Sequence, residues 1–356
     1  MHALKSILVA PGVYSSASVS ATSETFPLQL RTGTSLLCYG PNFSTVIDDS
    51  AGLSTGGIII NDPDASGGTL IDGCQVNTVS SSSAGAIDDS GLVMTVNNCS
   101  VNGVYPAVTG IQLSANSTVM NSIVTGFPGG DGGGVGIRTA ANALISGNTI
   151  TGNDYGIYSS AGSPTISSNL LTENTGYGIL IPDGSPIINN NMITNNNSSG
   201  IGSGSASATV SPVISNNVIS GSNYGIYMDS GGTWIVSGNT ISGNTYSGIE
   251  IYALSNIGGT ITGNTIISNG VGINLYGSGY DTYPSINNNS LSCNTTSDLN
   301  TSATTTINVT SNSWDHSPPS VQTPSIAPCS AGQDICYSGT APDFSLYATV
   351  PSPCLP

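Results

Sequence analysis

Ile145-Ser-Gly-Asn148-Thr-Ile150-Thr-Gly-Asn153, followed by Gly156-Ile157, sets the frame for most of the chain. It returns as Ile166-Ser-Ser-Asn169-Leu-Leu171-Thr-Glu-Asn174 with Gly178-Ile179, and further copies centre on Asn191, Asn217, Asn239, Asn264, Asn289 and Asn312. Copies recur about every 23 residues, the length of one supersecondary unit, so the spacing predicts a stack of like units. Apolar residues stand before and after the Asn and again after the Gly, in short pieces closed by Gly, Asn, Ser or Pro. Pieces of that length are strands and turns rather than helices. One unit holds too few apolar residues for a core of its own. It gains one by lying on copies of itself, as the coils of a β-helix do about 4.8 Å apart. The Asn position then forms a column in which each amide, donor and acceptor at once, bonds its neighbour and the buried turn groups.

Followed backwards, the same slot is filled by Ser122, Cys99 and Cys74. The expected ladder is therefore Cys74, Cys99, Ser122, Asn148, Asn169, Asn191, Asn217, Asn239, Asn264, Asn289 and Asn312, with both cysteines as small buried residues rather than reactive thiols. A second column lies five residues on, at Asn153, Asn174, Asn196, Asn244, Asn269 and Asn294, with Ser222 the exception. The expected fold is an all-β solenoid of about eleven or twelve coils over residues 32–314, preceded by a cap segment, 1–31, and followed by a Cys/Pro-rich tail, 315–356.

The repeats from Ile71 to Trp314 resemble the right-handed parallel β-helix proteins of the pectin-lyase-like superfamily, and the handedness is implied by that resemblance. Val9-Ala-Pro11-Gly12-Val-Tyr14, Phe26-Pro27-Leu28 and Gly33-Thr-Ser-Leu36 are similar to the motifs of a bacterial family of unknown function that caps β-helix repeats. The helix which that family places before Ile7 is missing, and Ile7–Ala10 is too short for a signal peptide, so the start reads as truncated. Lyases of the superfamily use Arg or Lys to take a proton beside a uronate, and its hydrolases use grouped Asp with Gly-His-Gly. This chain has neither a basic groove nor that motif.

Only three residues are Lys or Arg against 19 Asp or Glu, giving a net charge of −16, and charged residues make up 6% of the chain. That balance excludes nucleic acid, anionic membrane and polyanionic polysaccharide as partners, and leaves a neutral glycan or a cation. No stretch is long and apolar enough to span a bilayer. Of seven cysteines, Cys329, Cys336 and Cys354 lie in the tail, where a disulfide fits an exported, extracellular or cell-surface protein. Five Met and two His, with no CxxC, argue against copper handling. No cofactor is expected unless carboxylates hold Ca²⁺, and a monomer is expected.

Three sets of residues carry possible function. The long loop Phe127–Arg138 brings Asp131 and Arg138 towards Asp154, Tyr155 and Tyr158, an arrangement with acid–base groups beside an aromatic surface. Its bland counterpart is a glycine-rich loop pinned by a surface ion pair. Next, Asp48, Asp49, Asp88 and Asp89 would gather around Ca²⁺ if their coils align, though Asp beside Ser or Gly is also ordinary turn chemistry. Third, Tyr155, Tyr158, Tyr224, Tyr227 and Tyr252 recur around the Gly-Ile step and would form a broken aromatic stripe able to stack on sugar rings. The expected function is polysaccharide binding without cleavage. A polysaccharide lyase or glycoside hydrolase is the alternative, and a surface spacer or adhesin the second.

Overall fold

The computed structural model describes residues 5–15, 28–31, 33–40, 43–49, 59–61, 68–79, 85–104, 108–128, 133–204, 210–252, 256–276, 282–322 and 330–347. The chain forms two compact units, Met1–Gly176 and Tyr177–Pro356. Each is a parallel β-solenoid whose coils give strands to three sheets, and in the C-terminal unit two tail strands, Val321–Gln322 and Gln333–Tyr337, join the third sheet alone. In the N-terminal unit one coil runs Leu144–Ser146, Thr149–Thr151 and Tyr155–Ser159. In the C-terminal unit one runs Val213–Ser215, Val218–Ser220 and Tyr224–Met228.

The repeated apolar positions explain the three sheets. In the N-terminal unit the first sheet stacks Val96, Val119, Ile145 and Ile166, the second Val101, Val124, Ile150 and Leu171, and the third Ile87, Ile111, Ile137 and Ile157. The C-terminal unit repeats this, its third sheet stacking Ile179, Ile201, Ile226, Ile249, Ile273 and Leu299. All of these are fully buried, and each contributes roughly 1.5–3 kcal/mol by leaving water.

The corners explain the rest of the phrase. Each residue just before a ladder slot has a left-handed backbone: φ is 55° at Asn190, 56° at Asn216, 65° at Gly238 and 67° at Gly263. Gly and Asn tolerate that conformation best. The chain turns there, and the next residue points its amide inward. Asn217 donates its backbone N–H to Asn239 Oδ1 at 2.9 Å and its Nδ2 to Ile188 O and to the same Oδ1. Asn191, Asn239, Asn264 and Asn289 make the same bond to the next slot. Asn148 bonds Asn169 likewise in the N-terminal unit. The second ladder follows the same plan, with Asn244 on Asn269 and Asn269 on Asn294.

Two expectations change. Cys74 does fill the slot and is fully buried, but it is bonded to Cys38 in a disulfide, whereas Cys99 is a free buried thiol. The register pairs Leu36 with Ile71, which places Cys38 one residue short of the slot and within reach of its neighbour in the next coil. Nor are the rungs confined to 32–314: Lys5–Val9 pairs with Thr34–Cys38 ahead of that span, and Gln333–Tyr337 pairs with Ser297–Thr301 beyond it. Cys293 and Cys336 are also disulfide-bonded, while Cys329 and Cys354 lie outside the described residues.

Candidate functional site

A residue that follows an inward Ile on the third sheet points away from the core. In the C-terminal unit that outward column reads Gly202, Tyr227, Glu250, Asn274 and Asn300. It flanks a groove of about 380 Å³ whose walls include Tyr224, Tyr246, Glu250, Asn274 and Thr296. Tyr224 packs against both Tyr227 and Tyr246, with ring centroids 5.2 and 5.4 Å away. Gly202 makes room for a further ring, since a Cβ there would sit 2.5 Å from Tyr177 Cε1. Farther along, Tyr252 and Tyr276 stack at 5.5 Å with their planes 7° apart.

Glu250 is the carboxylate of this groove and is only 7% exposed. Its Oε2 accepts from Ser247 Oγ at 2.7 Å, and both oxygens accept from Asn274 Nδ2 at 2.9 Å. Asn300 Nδ2 in turn donates to Asn274 Oδ1 at 2.8 Å. Burial pushes the carboxyl above its ordinary range, and the bonds from Ser247 and Asn274 draw it part of the way back. Burial, then Asp229 and Glu250, pushes the Tyr227 phenol up to about 12, and burial raises Tyr224 as well. Both phenols therefore stay protonated at neutral pH, offering O–H groups and ring faces rather than a base. Glu250 and Tyr246 escaped the sequence reading, because the frame fixes the inward positions and leaves the outward column free.

The N-terminal unit holds the other expected patch. Register places Arg138 between Gln112 and Tyr158 as expected, and its guanidinium lies 4.3 Å from the Tyr158 ring centroid. Tyr155 and Tyr158 are 6.1 Å apart. Asp154 is raised by burial and accepts from Thr175 Oγ1 at 3.3 Å. A Cβ on Gly133 would meet both Tyr155 and Asp154, so the backbone at Gly133 lies close against that pair. Asp131 lies outside the described residues.

The four carboxylates proposed for Ca²⁺ do not share a site. Asp48 and Asp49 stand on the second sheet opposite Asn77 and Thr78, whereas Asp88 stands on the third beside Gln112. Asp88, raised by burial, closes a turn by accepting from Ser90 N–H, and fully buried Asp89 accepts from Gly91, Ser114 and Ala115 N–H and Ser117 Oγ. The turn reading accounts for both. Among the described residues, the one group of three side chains with oxygens close enough to hold a metal ion is Asp298, Asp315 and Asp334, within 4.8 Å of one another. Asp315 accepts from Cys293 N–H, and Asp334 from Ser320 Oγ, with His316 Nδ1 at 2.9 Å. Asp298 takes Asn294 Nδ2 on one oxygen, leaves the other unpartnered, and is raised by burial to about 8.

Residues 56–212 match a family model described as a right handed beta helix region, which supplies the handedness the sheets alone leave open. The chain is a right-handed parallel β-helix repeat protein. A second model, for the periplasmic copper-binding protein NosD, matches residues 187–327 of this β-helix. Among the described residues of that segment, Cys293 is disulfide-bonded and Met228 buried, whereas Met192 is exposed and His316 Nδ1 faces Asp334. Among solved structures, the β-helix is similar to the Dettilon tailspike protein gp208, at TM-score 0.53 and 14% identity, over 94% of this chain and 60% of the tailspike. The A-module of the mannuronan C-5 epimerase AlgE4 from Azotobacter vinelandii is similar at TM-score 0.50 and 16% identity, over 98% of this chain and 91% of that module. At such identities the likeness is one of fold. No curated protein sequence matches the chain.

Proposed function

We propose that this β-helix is an exported or surface-exposed protein that binds a polysaccharide along the third sheet of its C-terminal unit without cleaving it. The observation that carries the reading is the groove lined by Tyr224, Tyr246, Glu250 and Asn274. It combines aromatic faces for stacking on sugar rings with amide, hydroxyl and carboxylate groups for their hydroxyls. Hydrolysis of a glycosidic bond ordinarily needs two carboxyl groups flanking it, and Glu250 is the single carboxyl group among the groove's lining residues. The mannuronan C-5 epimerase among the similar folds carries a polysaccharide in its name, which belongs to that protein. A panel of neutral and charged glycans tests it. Retention of a glycan by the parent, weakened about tenfold or more by Tyr224→Ala, with no reducing or unsaturated ends released, is the expected outcome. Reproducible release of ends, abolished by Glu250→Gln or Arg138→Ala, would make it a carbohydrate enzyme instead. Retention of nothing would leave a surface spacer.

A further inference from the structure

We infer that the groove takes a cationic sugar unit: an amino-sugar chain whose ammonium group sits against Glu250 beside the faces of Tyr224 and Tyr246. This rests on the reading of the groove as a glycan site and names the ligand's chemistry.

The first ground is the unused bonding capacity of Glu250. A carboxylate offers about four lone-pair sites. Oε2 is occupied by Ser247 and Asn274, and Oε1 by Asn274 alone. One acceptor direction remains, which suits a single N–H or O–H donor. A bare divalent ion would want six or more oxygen ligands, and Glu250 is the lone carboxylate on the groove wall.

The second ground is charge. Residues 177–356 contain no Lys or Arg at all, and their one histidine, His316, stands against Asp334, so the unit supplies no lysine or arginine cation to offset Glu250. A nearly buried anion without a counter-charge is costly, and an ammonium ion relieves that cost where a neutral hydroxyl does not. The aromatic walls add to the preference, because a cation is drawn to the face of a tyrosine ring as a neutral group is not. A net charge of −16 draws cationic chains in and turns uronates away.

The experiment is calorimetric titration of the intact protein with length-matched short oligomers of glucosamine and of N-acetylglucosamine, at mildly acidic pH and physiological salt. Glu250→Gln, Tyr224→Ala and spermine as a non-sugar polycation complete the set. The parent is expected to bind the glucosamine oligomer at least tenfold more tightly than the acetylated one. Glu250→Gln should remove that preference while changing the net charge by one in sixteen, and spermine should bind parent and Glu250→Gln alike. Equal binding of the glucosamine oligomer by parent and Glu250→Gln would reduce the effect to bulk charge and overturn the inference. A preference for the acetylated oligomer that Tyr224→Ala weakens would also overturn it, while upholding glycan binding in the groove. Binding of neither oligomer, nor of any glycan in the wider panel, would sink both readings.

Discussion

At the scale of single residues, the ladder amide is the unit of stability. Asn217 Oδ1 accepts the backbone N–H and Nδ2 of Asn191, while its own Nδ2 satisfies Ile188 O and Asn239 Oδ1. Asn217→Ala strands several buried groups at about 1–3 kcal/mol each. We expect it to cost at least about 3 kcal/mol in denaturant unfolding, against under 1 kcal/mol for exposed Asn216→Gly, which keeps the left-handed corner. Equal costs would mean the ladder is not what holds the coils. Asp298 supplies the opposite case. Its folded pKa, about 8, lies above the ordinary carboxyl value, so its protonated form is stabilising below the unfolded pKa and that contribution is lost as pH rises through about 8. Asp298→Asn keeps the shape and the bond to Asn294 region without the charge. Its melting temperature should exceed the parent's at pH above about 8 and approach it near pH 5; a gap that widens on acidification would refute the assignment. The ladder was readable because each Asn recurs in the sequence itself, whereas Asp298 meets Asp334 only through the fold of the tail, which has no repeat.

At the scale of elements, each coil alternates positions that admit one residue with positions that admit many. The glycine before each inward Ile is of the first kind. A Cβ on Gly248 would stand 2.7 Å from Gly272 O, 2.8 Å from Ile266 Cγ2 and 2.9 Å from Asn269 Nδ2, two of them the core and ladder of the next coil. The corner glycine Gly243 is of the second kind. Its φ is 63° with nothing within 4 Å of a Cβ, and Asn195 holds φ 55° at the matching corner of another coil. Gly248→Ala should therefore lose about 1–3 kcal/mol by overpacking, and Gly243→Asn should be close to neutral in the same thermal melts. The reverse order would show that corner strain, not coil-to-coil packing, limits the repeat. The same contrast explains what could be read of the site. Tyr224, Tyr227 and Tyr252 stand close to the Gly-Ile step and were found from it. Glu250 shares the outward position of Tyr227, where the repeat fixes the direction but not the residue type, so only the aromatic members of that position stood out, and its meeting with Tyr246 depends on how the coil folds. The four-carboxylate site failed because Asp48 and Asp88 stand on different sheets, a distinction that spacing alone does not draw.

At the scale of the whole molecule, 19 acidic residues face three basic ones, and five carboxyls are raised by burial. Burial raises Asp88, Asp154, Glu250, Asp298 and Asp315, while exposed Asp343 alone is lowered, by its bonds to Ser345. A raised folded pKa means the native state keeps protons that the unfolded chain has released, so stability falls as pH rises through the folded values. Self-repulsion among the remaining carboxylates acts in the same sense, since more of them are ionised at higher pH. Salt screens the exposed repulsion but not the desolvation of the buried groups. We therefore expect the melting temperature to decline from about pH 5 to about pH 9 at low ionic strength. Added sodium chloride should recover part of that decline at the alkaline end and little at the acidic end, and Glu250→Gln combined with Asp298→Asn should flatten what salt leaves. A melting temperature that climbs with pH across this range would mean that the carboxylates are held as stabilised anions, and the ammonium subsite at Glu250 would then lose the uncompensated charge that motivates it.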